Sequence, residues 1–226
     1  MTRLRQWIAR AGRNTWSNWP GIAYTRVGYQ QRLAAVARHL SESLDLTPAG
    51  PVRIASICAG DGRDVVGVVK SHPRRNDVRA WLVELDGNSV ATGVAHVRRA
   101  GLEHTVNFLH ADATSFVTYR NIAPADVLLV CGVWGHVPPE ERTSLVHACG
   151  VLSKPGGVVI WTRGVRHGTA RLEAIRERFA GPAWEEVRVT ITPDAKWAVA
   201  TYRNVGPASA MPTSGQIFHF QTAAGR

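Results

Sequence analysis

The chain has 226 residues, 45% hydrophobic and 19% charged, which suits one medium α/β domain with a sizeable core and excludes a wholly disordered chain. Its formal charge of +10 comes with scattered arginines and no Lys/Arg block interleaved with aromatics, so nucleic acid is a less favoured partner. Cys58, Cys131 and Cys149 sit in apolar segments without C-x-x-C spacing, no stretch reaches membrane-span length, and no secretory h-region opens the chain. A cytoplasmic protein with reduced thiols is the expectation.

A polar, Trp-rich lead is followed by "QQRLAAVARHLSESL", which puts Leu33, Val36, Ala37, Leu40 and Leu44 on one helical face. Residues 1–50 read as an N-terminal helical lid segment, closed by the turn residues Pro48, Gly50 and Pro51. Strands are predicted at Val52–Cys58, Arg79–Leu85, Thr105–His110, Ala125–Gly132 and Val158–Thr162. Helices are predicted at Arg63–Ser71, Asn88–Ala100, Pro139–Leu152 and Ala170–Ala180. "KPGG" at Lys154–Gly157 reads as a turn before the fifth strand. The runs "VRIASI" and "DVLLVC", apolar without alternation, suit a parallel sheet covered on both faces. "WEEVRVTITPDAKWAVATYRN" reads as an antiparallel hairpin about Thr192–Lys196, completing a core over residues 51–206. Residues 207–226 form a tail in which "IFHF" could add a short edge strand. One domain is expected: a doubly wound, seven-stranded, mostly parallel sheet.

In such a sheet, ligands bind beyond the carboxyl ends of the strands. The turn after the first strand reads "ICAGDGRD", Ile57 to Asp64. It lacks the lysine of a P-loop, and Val65 stands where a dinucleotide fingerprint has its third glycine. The second strand ends in two acids, Glu84 and Asp86, and "LHADAT" supplies Asp112 after the third. A carboxylate at the tip of the second strand can accept both ribose hydroxyls, and Asp112 can accept from an adenine amino group. Glycine turn, acid and aspartate together describe an adenosyl site without phosphate.

With these motifs the chain resembles the class I S-adenosylmethionine-dependent methyltransferases over roughly Gln30 to Asn204. "ELDGNSVATGVAHVRRAGL" aligns with that family so that Glu84, not Asp86, falls at the ribose position. The glycine turn departs from the family's "D-x-G-x-G-x-G-R-D" at Ser56, where an acid is usual, and at Cys58, where the first glycine is usual. More narrowly, "SICAGDGRD", "CGVWGHVP" and "VIWTRG" look like actinobacterial methyltransferase-like proteins. The resemblance implies S-adenosyl-L-methionine as cofactor, held by Cys58, Ala59, Gly60, Asp61, Gly62, Asp64, Glu84, Leu85, Asp112, Ala113, Cys131 and Gly132. Gly60 and Gly62 would let backbone approach the methionine part, and Asp64 would cap the next helix.

The tip of the fourth strand reads Cys131, Gly132, Val133. It lacks the Asn/Asp-Pro-Pro-aromatic run of nucleobase N-methylating enzymes and the acids of metal-dependent catechol-type ones, and the histidines show no ligand spacing. His136 is the candidate general base, against a purely structural role. Trp134 could stack on an aromatic acceptor or belong to the core, and Arg163 could neutralise a carboxylate or phosphate or face solvent. Tyr24 and Tyr29, in the lead segment with Trp16 and Trp19, could reach the methionine end or the acceptor as part of a lid, or anchor an N-terminal helix on the core. A small molecule methylated on oxygen or nitrogen is the expected substrate, with secondary metabolism as one setting for it. An RNA methyltransferase and a catalytically silent adenosyl-binding protein are the alternatives.

Overall fold

The computed structural model of the chain describes residues 27–221. Its seven strands are β1 (Val52–Ile57), β2 (Val78–Glu84), β3 (Val106–His110), β4 (Ala125–Val130), β5 (Ser153–Gly164), β6 (Trp184–Ile191) and β7 (Trp197–Asn204). They form one sheet in the order β3-β2-β1-β4-β5-β7-β6. β1 to β5 are parallel, and β7 lies antiparallel between β5 and β6. The strand order turns back between β1 and β4, which makes the crevice beyond their tips the place for a ligand.

The helices are α1 (Val27–Leu46), α2 (Arg63–Val69), α3 (Gly87–Arg99), α4 (Arg142–Leu152) and α5 (Ala170–Arg176). Burial on both faces explains the strand sequences: Ile54, Val127, Leu129 and Ile160 pack with Val36, Leu40 and Leu44 of α1 and Val65 and Val69 of α2. On the other face Ala55, Leu128, Val130 and Trp161 pack with Leu145 and Cys149 of α4 and Leu172 of α5. The helical periodicity of "QQRLAAVARHLSESL" thus corresponds to a buried stripe, although Leu33 and Ala37 are only half-buried. α1 is also pinned to the last hairpin by His39. Its Nδ1 is 2.7 Å from Thr201 Oγ1 and its Nε2 is 2.9 Å from Thr190 Oγ1.

Three local expectations change. Lys154–Gly157 is not a separate turn but part of β5, which already pairs with β4 at Ala125↔Ser153 before a register shift. Gly157 permits this, because a β-carbon there would stand 2.9 Å from the Ala125 carbonyl. A 3-10 turn, Pro139–Glu141, occupies the beginning of the predicted fourth helix. In the tail, "IFHF" does not join the sheet edge. The tail instead forms a strap beside the turn after β3: Ser115 bridges Gln216, and the Ile217 N–H donates to the Thr114 carbonyl at 2.7 Å. Burial of Ile217 and Phe218 on the core holds it there. Trp16, Trp19 and Tyr24 of the lead segment lie outside the described residues.

Candidate functional site

The turn after β1 is built from left-handed backbone. Cys58, Gly60 and Gly62 have φ of 53°, 58° and 63°. Packing requires a glycine at Gly62, since a β-carbon would fall 2.2 Å from Leu82 Cδ2 and 2.7 Å from Phe108 Cζ. Cys58 holds a conformation that glycine adopts more easily, at a cost of about 1–2 kcal/mol. Its thiol is pushed well up by burial, and then by the charges of Glu84 and Asp112, which disfavours the thiolate.

Glu84, at the end of β2, leans over this turn. Its Oε2 accepts the Gly60 N–H at 2.8 Å, and its Oε1 accepts the N–H groups of Leu85 and Asp86 at 2.8 and 2.9 Å. Three backbone amides therefore fix the carboxylate, and Oε2 keeps more acceptor capacity than Oε1. That differs from a carboxylate with two open oxygens. Asp86 is used otherwise: as N-cap of α3 it accepts the Ser89 N–H at 2.8 Å.

Asp112 and Ala113 follow β3 on the far side of Glu84, the chain being tied by Ala111 N–H donating to the Glu84 carbonyl at 3.0 Å. Asp112 Oδ1 accepts from the amide and hydroxyl of Thr114 at 2.8 and 2.7 Å. Asp61 is buried and carries a bidentate pair with Arg63, with contacts of 3.1 Å to Oδ1 and 2.9 Å to Oδ2 from Nε. Asp64 does not cap α2. Gly62 is the N-cap residue, and Asp64 sits in the first turn with Oδ1 accepting the Val65 N–H at 2.8 Å. Burial raises the Asp64 carboxyl above the usual range, and the Val65 N–H hydrogen bond, then the Arg32 charge, partly offset this.

At the tip of β4, Gly132 has φ 82° and its N–H donates to Thr162 Oγ1 at 2.9 Å, joining β4 to β5. Arg32 of α1 overlooks this tip: a β-carbon on Gly132 would stand 3.7 Å from Arg32 Nη1. The Arg32 guanidinium is stacked on Tyr29 and Trp197, 4.5 and 4.9 Å from their ring centroids, and its buried Nε has no hydrogen-bond partner. Arg32 and Trp197 escaped the sequence reading. The only hint was Tyr29 and Arg32 standing three apart on one helix.

His136 is half-buried just beyond, its N–H donating to the Val133 carbonyl at 2.8 Å and its carbonyl accepting the Gln221 N–H at 2.8 Å. Trp134 belongs to the core. It is fully buried against Trp161 and Phe179, with ring centroids 5.9 and 6.0 Å away, because residues past β4 fold back onto the aromatic face. It therefore offers no face to an acceptor. Arg163 is not a solvent-facing residue after β5; it lies within β5 and is buried. Tyr29 sits with Arg32 near the β4 tip, and Tyr24 lies outside the described residues. Among the described residues no cluster of His, Cys, Asp or Glu could hold a metal ion.

A parallel sheet closed by an antiparallel hairpin, with a glycine turn facing an acid on the neighbouring strand, defines the class I methyltransferase fold. Residues 2–188 match a family described as "Putative methyltransferase", and the chain belongs to that family. No curated protein matches it. Among solved structures it is similar to magnesium protoporphyrin IX methyltransferase from Synechocystis with bound S-adenosylmethionine, at 14% identity and TM-score 0.61, covering 90% of this chain and 91% of that one. A methyltransferase from Geobacter sulfurreducens in complex with S-adenosyl-L-homocysteine gives 12% identity and TM-score 0.58 over 75% and 90%. The [4+2]-cyclase SpnF gives 16% and 0.59 over 81% and 84%.

Proposed function

We propose that the chain is an S-adenosylmethionine-dependent methyltransferase acting on oxygen or nitrogen of a small-molecule acceptor. The observation that carries this reading is Glu84, held by the Gly60, Leu85 and Asp86 amides at the tip of β2, where it can accept ribose hydroxyls. Asp112 across the same crevice would take the adenine amino group. The left-handed turns at Gly60 and Gly132 would lie against the methionine part with Cys58, Ala59 and Cys131, while Leu85 and Ala113 would line the ribose and adenine end. Among the described residues, Arg32 beside the β4 tip is suited to a methionine carboxylate. The bound cofactor supplies an electrophilic methyl group; the protein aligns an acceptor with it and removes a proton where the acceptor carries one.

His136, beside the β4 tip, is the residue proposed for that proton. A small-molecule acceptor is supported by the Cys131-Gly132-Val133 tip, which lacks a nucleobase-reading signature. Titration calorimetry with S-adenosylmethionine is the direct test. Micromolar affinity is expected, and absence of heat at millimolar ligand would sink the proposal. Binding of cofactor without methyl transfer to any member of an acceptor panel would favour a silent adenosyl-binding protein. A steeply salt-dependent affinity for RNA would replace the small-molecule acceptor.

A further inference from the structure

Four arginines far apart in the chain meet beside the β4 tip. Arg163 is the penultimate residue of β5, Arg142 opens α4, Arg171 lies in the first turn of α5, and Arg178 follows α5, near enough that the charges of Arg142 and Arg171 act on Arg163 and those of Arg178 and Arg171 on Arg142. Arg163 is the deepest, only 9% exposed; Arg142 and Arg178 are half-buried, and Arg171 is exposed. The Nε atoms of Arg142, Arg163 and Arg178 are all buried without a hydrogen-bond partner. Arg178 also donates to the carbonyls of Ala174 and Pro139. Among the described residues no carboxylate forms an ion pair with any of the four, and residues 1–26 contain no Asp or Glu that could supply one.

Burying a guanidinium without a counter-charge is costly, and gathering like charges around it adds to the cost. Burial together with Arg142 and Arg171 lowers the Arg163 pKa to about 10, which still leaves it charged near neutral pH. Room is made for it: a β-carbon on Gly135 would stand 2.8 Å from Arg163 Nη1, so a glycine beside His136 lets the guanidinium lie against backbone. Thr162, the neighbour of Arg163, accepts the Gly132 N–H at 2.9 Å, which fixes the cluster relative to the β4 tip.

We propose that Arg142, Arg163, Arg171 and Arg178 form an anion site that binds the phosphate or diphosphate group of the methyl acceptor and holds that acceptor beside His136. One carboxylate supplies a single charge and two oxygens. A phosphate dianion supplies more charge and three acceptor oxygens, matching several guanidinium forks. That the anion belongs to a methyl acceptor rests on the methyltransferase reading; the anion site does not.

The test is thermal unfolding of the full chain in inorganic phosphate, pyrophosphate or malonate, at ionic strength fixed with chloride. Pyrophosphate and phosphate should raise the midpoint by about 5 °C at saturation. In Arg163→Met the ligand-free midpoint should hold or rise, because a buried unpaired charge is removed, and the phosphate shift should vanish. Arg171→Ala, at the exposed rim, should weaken the shift several-fold even if Arg163→Met fails to fold. An equal shift in wild type and Arg171→Ala, or one matched by chloride, overturns the site. A larger shift with malonate than with phosphate overturns the phosphate assignment. Calorimetry with S-adenosylmethionine on the wild type separates the two readings: no cofactor binding with the phosphate shift intact refutes methyl transfer alone, and cofactor binding without a phosphate shift refutes the anion site alone.

Discussion

Glu84 Oε2 accepts the Gly60 N–H at 2.8 Å, so the acid at the tip of β2 and the glycine turn after β1 are one unit. Glu84→Gln would turn an amide NH2 toward backbone donors, since both carboxylate oxygens accept from N–H groups. The variant should bind S-adenosylmethionine about 10–100-fold more weakly, the worth of one or two charge-assisted hydrogen bonds. Asp86→Ala, which removes an N-cap, should cost about 1 kcal/mol of stability and change that affinity less than twofold. Calorimetry paired with denaturant unfolding checks both, and a larger affinity loss in Asp86→Ala would put the ribose on the wrong acid.

Packing and conformation separate at the turn itself. Gly62→Ala would drive a β-carbon into Leu82 and Phe108 at a left-handed position, so a loss of more than about 2 kcal/mol is expected. Cys58→Gly relieves the positive φ but gives up a partly buried side chain, and the net change should stay within about 1 kcal/mol. Cys58→Val, β-branched at the same φ, should be clearly destabilising. Urea midpoints for the three variants give the ranking; a Gly62→Ala as stable as wild type would show that the turn can shift.

What the sequence revealed tracks how local each signal is. Unbroken apolar runs and the Thr192–Lys196 hairpin are decided by neighbours a few residues apart, and those elements lie where the pattern puts them. Glu84 was set apart from Asp86 only through the resemblance of the following segment, whereas the structure puts Glu84 at the strand end and Asp86 at the helix cap. Trp134 and Arg163 were not legible, because their surroundings are set by Phe179, Gly135 and α5, brought in by tertiary packing. Arginines that are scattered along the sequence become a cluster only when β5, α4 and α5 share one end of the sheet. The strap of residues 215–217 is illegible for the same reason, its partners being about a hundred residues earlier at Thr114–Phe116.

His39 predicts a pH dependence. Burial first, and then the Arg188 and Arg38 charges, lower its pKa from 6.5 to about 4. Between those values the unfolded chain binds a proton that the folded one refuses, so stability is full above about pH 6.5 and falls as pH drops toward 4. After discounting for solvent screening the loss should be at most about 2 kcal/mol. His39→Gln should flatten this segment of the stability curve while costing a hydrogen bond at all pH values. Unfolding free energies at pH 7, 6 and 5 check it, and an equal slope in wild type and variant would assign the dependence to another group.

Arg32 offers the most selective probe of the proposed methionine end. Its guanidinium is held between Tyr29 and Trp197, so Arg32→Lys keeps the charge but loses the planar stacking that aims it at the β4 tip. If Arg32 meets the methionine carboxylate, Arg32→Ala should weaken S-adenosylmethionine about 10–100-fold, with Arg32→Lys in between. Adenosine, which has no carboxylate, should bind wild type and both variants alike, because Glu84 and Asp112 are untouched. Calorimetry with the two ligands makes the comparison. Parallel losses for adenosine and S-adenosylmethionine would mean that Arg32 acts by holding α1 on the sheet, through its contacts with Trp197, and not by reading the carboxylate.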